Sequence, residues 1–530
     1  LNGAGSLQDA AGNDVSNMAT LAGMTNLADA YGFEIDGILP SEFDVVSAVT
    51  TGGNIKALYW NELNEGLNVT VEIPDDASLE SGWLQIQGRV ASNGFVSLGS
   101  ASSISATNTN KTVLIDDADI EALIGFIEGE TFSITAEITD VAGNSTSAAE
   151  LTNVEIEIDR VAPTITEITS TTNDGSYSIG QDVNVTVTLS EAVSLESGEM
   201  SVSLNTSVVE ILTDDAITTE QVLPFTLSIV ENRTANPLTV TSVTATSNQL
   251  LDIAGNEVDF TLPIGENLAD NSTIVVDGEY PTITSISSAI VNDTLGLGET
   301  IDVEIDFNEA LTLSVGGSLD VLFGTGQTVS ITSISDASTA IATYTVGVGE
   351  ESTDLAVTSI SLSAGSLVDI AGNGLTTTLP VGQNLSDNNE ILVDGIVPLD
   401  FPVGNVLALG APVVSGYWNL SNTGAEVILT VTGSDLSLDG GTAQLEARIG
   451  INEFAVIGGA ETVGTNPVTL SILRSQFETE LDGYFAGGTI DIRGVLTDIA
   501  GNSTESIGVV SVIIDQDAPT APPTGILNVV

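Results

Sequence analysis

At 530 residues the chain is too long for one hydrophobic core, and with 42% hydrophobic residues and positive mean hydropathy it is too apolar to stay unfolded. Asp and Glu number 73 against 8 Lys and Arg, a net charge of -65 that disfavours nucleic acid and anionic membrane surfaces and favours divalent cations as partners. Cys and His are absent, which excludes disulfides, thiolate nucleophiles, ordinary zinc sites and His-based catalytic triads, and no run of 18 apolar residues offers a membrane span.

In chain order, the first feature is the sequence Asp-x-Ala-Gly-Asn, which starts at Asp9 and recurs at Asp140, Asp252, Asp369 and Asp498. Each copy is followed by a second marker, an Ile or Val, then Asp, with Pro four residues after that Asp. These are Asp36, Asp159, Asp277, Asp394 and Asp515, with Pro40, Pro163, Pro281, Pro398 and Pro519. The second markers lie 123, 118, 117 and 121 residues apart, a domain-sized period. The interval between the two markers is 27, 25 and 25 residues in units ending at Asp36, Asp277 and Asp394, but 19 and 17 in those ending at Asp159 and Asp515. Two repeat types follow. Residues 1–36 read as the end of a long-type repeat, 37–159 as short-type, 160–277 and 278–394 as long-type, 395–515 as short-type, and 516–530 as a linker. The chain is expected to be a piece of a longer exported protein.

Short-type units share Tyr59-Trp60-Asn61 and Tyr417-Trp418-Asn419. Next comes period-two alternation at Leu67, Val69, Val71 and Ile73, and again at Phe132, Ile134, Ala136 and Ile138. Long-type units alternate at Val183 to Leu189 and at Ile301 to Phe307, segments that end in Glu191-Ala192 and Glu309-Ala310. Alternation rich in Val, Ile and Thr, broken by Gly, Asn and Asp, predicts strands with one face buried and an all-β fold of tandem Ig-like β-sandwich domains in an extended array. Each short-type unit also predicts one helical turn, near Asp117 to Phe126 and Ser475 to Tyr484, with Ser475 and Glu478 at capping-box spacing.

Asp-x-Ala-Gly-Asn between two strands predicts a tight turn: Asp bonds the backbone that follows, Gly takes a positive φ, and Asn tolerates the left-handed region. Its side-chain oxygens are also candidate cation ligands, namely Asp140 and Asn144, Asp252 and Asn256, Asp369 and Asn373, and Asp498 and Asn502. The Asp of the second marker (Asp36, Asp159, Asp277, Asp394 or Asp515) sits where one domain hands over to the next across a short linker stiffened by Pro. Facing the loop carboxylates of the neighbouring repeat, it would make a cation-filled hinge. Asp270, Asp387, Asn173-Asp174 and Asn292-Asp293 are further, individually weak, candidates.

The units resemble the bacterial Ig-like repeats of giant surface adhesins of the biofilm-associated class. The resembling parts are the Asp-x-Ala-Gly-Asn turn, the closing Val-Asp-x-x-x-Pro strand end, and Leu-Pro-x-Gly-x-Asn-Leu at 262–268 and 379–385. The resemblance implies a secreted protein on a bacterial cell surface. Its tandem domains would form a stalk stiffened by calcium at the joints, with surface glycans, host or abiotic surfaces met by regions outside this segment. Carried over, it implies ligands at Asp159, Asp277, Asp394 and Asp515 with turn residues such as Asp140, Asn144, Asp252 and Asn256. Two unit types leave room for different chemistry at different joints. No enzyme is expected, because the acids repeat with the domains whereas an active site occurs once. The rival readings are a repeat component of a surface filament or gliding fibre, which shares the same mechanical reach, and carbohydrate binding by Trp60, Trp418 and Trp83, for which the exposure of Trp60 and Trp418 discriminates: an indole in the core cannot stack on a sugar.

Overall fold

A computed structural model describes residues 36–148, 155–207, 211–246, 249–431, 438–464 and 467–519. The first Asp-x-Ala-Gly-Asn copy, at 9–13, and most of the expected long-type remnant lie outside the described residues. Nearly all regular structure is β, as the alternation predicts. No helix of the described residues is long and apolar enough to cross a membrane.

In the first short-type repeat, Val45–Thr51 and Thr109–Asp116 flank Gly66–Ile73 in an antiparallel three-stranded sheet. A six-stranded sheet is centred on Trp83–Val90 and Thr131–Thr139, with Val96–Ser103 at one edge and Glu155–Ile158, Tyr59–Trp60 and Ser145–Ser147 completing it. The inward faces of both sheets meet in one core: Leu67, Val69, Val71 and Ile73 from the first, and Phe132, Ile134, Ala136 and Ile138 from the second, all essentially inaccessible. The second short-type repeat repeats this order with Val403–Leu409, Gly424–Leu429 and Val468–Leu473 in the small sheet, and Thr442–Ile449 and Thr489–Thr497 at the centre of the large one.

Trp60 and Trp418 are 0% exposed. Trp60 packs edge-on against Phe126 and Phe132, and Trp418 against Phe477. Both are core residues.

Long-type repeats divide their strands among three sheets. In the repeat over 278–394, Thr300–Leu313 pairs with Ile283–Ser287, Ala337–Thr345 and Leu367–Val368. Ser318–Phe323 pairs with Thr328–Ile331 and Val357–Ala364, and Glu390–Asp394 with Asn292–Gly296 and Glu351–Ser352. The repeat over 160–277 uses the same sheet orders. In three repeats the closing strand pairs in parallel with a short early strand: Tyr59–Trp60 with Glu155–Ile158, Asn292–Gly296 with Glu390–Asp394, and Tyr417–Asn419 with Val510–Asp515. This pairing puts the second-marker Asp beside the loop after the short strand.

The helical turns of the short-type units are Asp117–Glu121 and Arg474–Glu480, each between two strands. Ser475 is not the N-cap: Leu473 holds that position, with its N–H donating to the Gln476 side chain at 2.8 Å, while Glu478 pairs with Arg474. Long-type units add the short helices Leu268–Asn271 and Leu385–Asn388, capped by Asn267 with Asp270 and by Asn384 with Asp387. Those acids are spent on helix caps. Asp174 and Asp293 likewise accept backbone N–H groups, from Thr273 and Thr294.

Hydrophobic cores gather residues within 43–158, 283–393 and 401–514. The chain divides into two compact units, one from the described parts of Leu1–Asp174, Asp182–Leu227 and Ala235–Ile274, the other from Gly175–Gln181, Ser228–Thr234 and Val275–Val530. The division passes through the repeat over 160–277, because its segment Gly175–Gln181 belongs with the unit whose Asn373 it contacts.

Candidate metal centres at the repeat joints

Each described Asp-x-Ala-Gly-Asn segment closes a hairpin in which the Asp N–H donates to the Asn carbonyl, at 3.0 to 3.1 Å. The Asp carboxylate turns back on the loop: in the turn at 252–256, one oxygen of Asp252 accepts the N–H groups of Gly255 at 2.6 Å and Asn256 at 2.8 Å. Gly143, Gly255, Gly372 and Gly501 hold φ of 97°, 94°, 106° and 90°, where a side chain is strained. The Asn residues do not adopt positive φ. Their requirement is for the amide.

That amide is a clasp. Asn256 Nδ2 donates to the second Asp252 oxygen at 2.8 Å and to the main-chain carbonyl of Asp159 at 2.9 Å. Asn144 reaches the Asp36 carbonyl at 3.2 Å, Asn373 that of Asp277 at 3.0 Å, and Asn502 that of Asp394 at 2.8 Å. The Asn oxygen in turn accepts a backbone N–H from the preceding repeat: Glu62 to Asn256 at 3.2 Å, Ile179 to Asn373 at 2.9 Å, and Leu297 to Asn502 at 2.6 Å. Asn61 adds an amide hydrogen bond to the Ala254 carbonyl, and Asn54 one to that of Gly255. The contact is close enough that a Cβ on Gly255 would lie 2.6 Å from the Asn54 carbonyl oxygen.

The predicted ligands therefore separate by role. Asn256, Asn373 and Asn502 each accept an N–H through the side-chain oxygen and donate through the amide, so they act as joint clasps, and Asn144 directs its amide hydrogens in the same way. Sequence reading paired Asp and Asn oxygens as equivalent donors. The tertiary joint spends the Asn on hydrogen bonds.

The acids do converge, at the start of each long-type repeat. Asp159, Glu191 and Asp252 bring carboxylate oxygens within 4.8 Å of one another, and so do Asp277, Glu309 and Asp369. Asp159 and Asp277 come from the end of the preceding repeat. Asp252 and Asp369 come from the turn, and Glu191 and Glu309 from the long strands Asp182–Leu195 and Thr300–Leu313. The glutamates escaped the sequence reading as ligands, although both stand before Ala at the same place in the two long-type units, a signal that marked them as equivalent. Burial, then the charges of Asp252, Asp159 and Glu128, pushes Glu191 up to about 7. Burial with Asp369, Asp277 and Glu279 pushes Glu309 up to about 7. Burial, then Asp252 and Glu128, raises Asp159 to about 6, and burial with Asp369 and Glu279 raises Asp277 despite the Glu279 N–H.

Short-type joints differ. Among the described residues no third acid joins Asp36 with Asp140 or Asp394 with Asp498. Burial opposes ionisation of Asp140, but the Asn144 side chain and backbone and the Gly143 and Ala142 N–H groups hold its carboxyl below the ordinary value. Asp498 is raised by burial and by Asp394 despite its hydrogen bonds. Asp515 is exposed, with no turn beside it among the described residues.

The triads suit a hard divalent cation. Calcium takes six to eight oxygens at about 2.3–2.6 Å, so oxygens on opposite sides of one ion stand about 4.6–5.2 Å apart, and the 4.8 Å limit within each triad fits around a single ion. Three carboxylates with no basic residue in the triad are also the charge such an ion neutralises. No protein-family model matches the chain, and no curated protein matches it.

Proposed function

We propose that this chain is a stalk segment of a large secreted bacterial surface adhesin or fibre, whose tandem repeats supply reach for attachment, and that calcium stiffens the joints leading into long-type repeats. The observation that carries this reading is repetition: at four successive joints an Asn from one turn spans its own Asp and the closing Asp of the preceding repeat. A device copied at every joint serves the joint. Catalysis or recognition would need only one copy.

Bending such a joint breaks hydrogen bonds between buried groups, each costing about 1–3 kcal/mol when left unsatisfied. At long-type joints the carboxylates repel one another above neutral pH, and a divalent cation turns that repulsion into cross-linking. Carbohydrate binding loses its best candidates, because Trp60 and Trp418 lie wholly in the cores while Trp83 is 51% exposed by itself. The test is small-angle scattering and thermal melting in millimolar calcium and in chelator. Calcium is expected to raise the melting temperature and narrow the spread of dimensions. If chelation changes neither, the triads do not act as calcium joints.

A further inference from the structure

Three Asn-Gly pairs occur in the chain, at 2–3, 93–94 and 373–374, and the first lies outside the described residues. The third falls on a joint clasp. In the other described turns the clasp Asn is followed by a residue with a side chain, namely Ser145, Glu257 and Ser503. The fold does not ask for glycine at 374. Its φ is not positive, and a Cβ there would meet nothing within 4 Å. Glu257 holds the same place in the preceding long-type repeat, bridged to Leu251 as Gly374 is to Val368.

What glycine changes is reactivity. A backbone nitrogen can attack the side-chain amide carbon of the Asn before it and close a five-membered succinimide, an approach that a Cβ on the attacking residue hinders. Gly374 is exposed, and its N–H donates to no group among the described residues. The nucleophile is free, but the electrophile is held. Asn373 is 3% exposed. Its Nδ2 donates to the Asp277 carbonyl at 3.0 Å and to Asp369 at 2.9 Å, and its side-chain oxygen accepts the Ile179 N–H at 2.9 Å. Asn93, by contrast, is exposed, with its amide on the Ile124 carbonyl at 2.7 Å.

We propose that Asn373-Gly374 is a self-modification site gated by the joint, and that its reaction releases the joint for good. When the joint opens and frees the amide, the Gly374 nitrogen bonds to Cγ of Asn373. The Gly374 N–H proton and the side-chain amide group leave together as ammonia. Water then opens the ring by breaking one C–N bond, which leaves Asp, or isoaspartate where the chain now runs through the side chain. One water is consumed and one ammonia released, with no change of oxidation state. The product cannot clasp. Where Nδ2 donated, a carboxylate oxygen faces Asp369 and the Asp277 carbonyl with no hydrogen to give, beside the acids already gathered there. The joints whose Asn precedes Ser145, Glu257 or Ser503 lack the glycine and are spared. The inference rests on the clasp and is independent of calcium and of adhesion.

The test incubates the full chain at mildly alkaline pH and follows conversion of each Asn-Gly by peptide mass, with Asn93 as internal standard. In the folded chain Asn373 is expected to convert at least about tenfold more slowly than Asn93, and in urea at the same rate. Equal rates in the folded chain overturn the gating, and an Asn373 that stays intact in urea overturns the site. Ile179→Pro opens the clasp selectively. Ile179 precedes Gly180, at φ 85°, in a turn closed by the Gln181 N–H on the Ser178 carbonyl, a type II position that suits Pro. The change removes the N–H given to Asn373 and is expected to speed its conversion about fivefold, with Asn93 unaffected. An unchanged rate in a folded variant overturns the role of the clasp. Gly374→Glu is expected to melt with the parent chain and to keep Asn373 intact in urea; a lowered melting temperature makes the glycine structural and overturns its assignment. Asn373→Asp, the reaction product, is expected to speed amide exchange at Ile179 about tenfold or more. Unchanged exchange there overturns release of the joint.

Discussion

At the scale of single residues, the Asn of each turn carries more than its sequence position suggests. Replacing Asn373 by Ala strands an oxygen of Asp369, the Asp277 carbonyl and the Ile179 N–H in one partly buried place. The loss of stability in denaturant unfolding is expected to be at least about 2 kcal/mol, since each stranded group costs about 1–3 kcal/mol. The glutamates give a prediction in pH. Without a divalent cation, folded Glu191 and Glu309 hold protons up to about 7, whereas the unfolded chain releases them near 4.5. The folded state binds more protons within that window, so in chelator stability falls as pH rises from about 4.5 to about 7. The decline is expected in the melting temperature, to flatten in Glu191→Gln plus Glu309→Gln, and to disappear in calcium. A melting temperature that rises across the window in chelator contradicts the carboxylate contacts.

At the scale of elements, alternation does what period two demands, and each short-type sandwich closes on an aromatic centre. Trp60→Ala removes a fully buried ring packed on Phe126 and Phe132, and is expected to destabilise the first repeat by about 3–5 kcal/mol. Hydrogen exchange of Thr131–Thr139 is the readout, faster in the variant while the strands of the repeat over 278–394 are unaffected. A sugar-stacking Trp would instead leave exchange unchanged. The helical turns were legible in the sequence, but not their caps. Ser475 and Glu478 have the right spacing, yet the N-cap lies two residues earlier, at Leu473, and Glu478 is drawn to one of the chain's few cations, Arg474. Spacing cannot weigh such a competition.

At the scale of the whole molecule, two joint chemistries follow the two repeat types, with acid triads leading into the long-type repeats and paired acids into the short-type ones. Calorimetric titration of the full chain is expected to show about two strong calcium sites, one for each described triad, and to lose one with Glu191→Gln and the other with Glu309→Gln. Four equivalent sites would mean that paired acids suffice at the short-type joints. With net charge -65 the protein repels copies of itself, and added salt screens that repulsion at the exposed acids more than at the half-buried triads.

The sequence by itself determined the all-β class, the period, the two repeat types and the turns, because these depend on local backbone preference and on which face of a strand is apolar. It also brought Asp159, Asp252, Asp277 and Asp369 forward as joint residues. Only the tertiary structure decided that Asn256 grips Asp159 across 97 residues and that Leu297 answers Asn502 across 205. It alone recruited Glu191 and Glu309 to the acids and set the Asn amides to clasp the preceding repeat. The reason is physical. Both a ligand set and a clasp are made by groups distant in the chain, and packing chooses which lone pairs face one another.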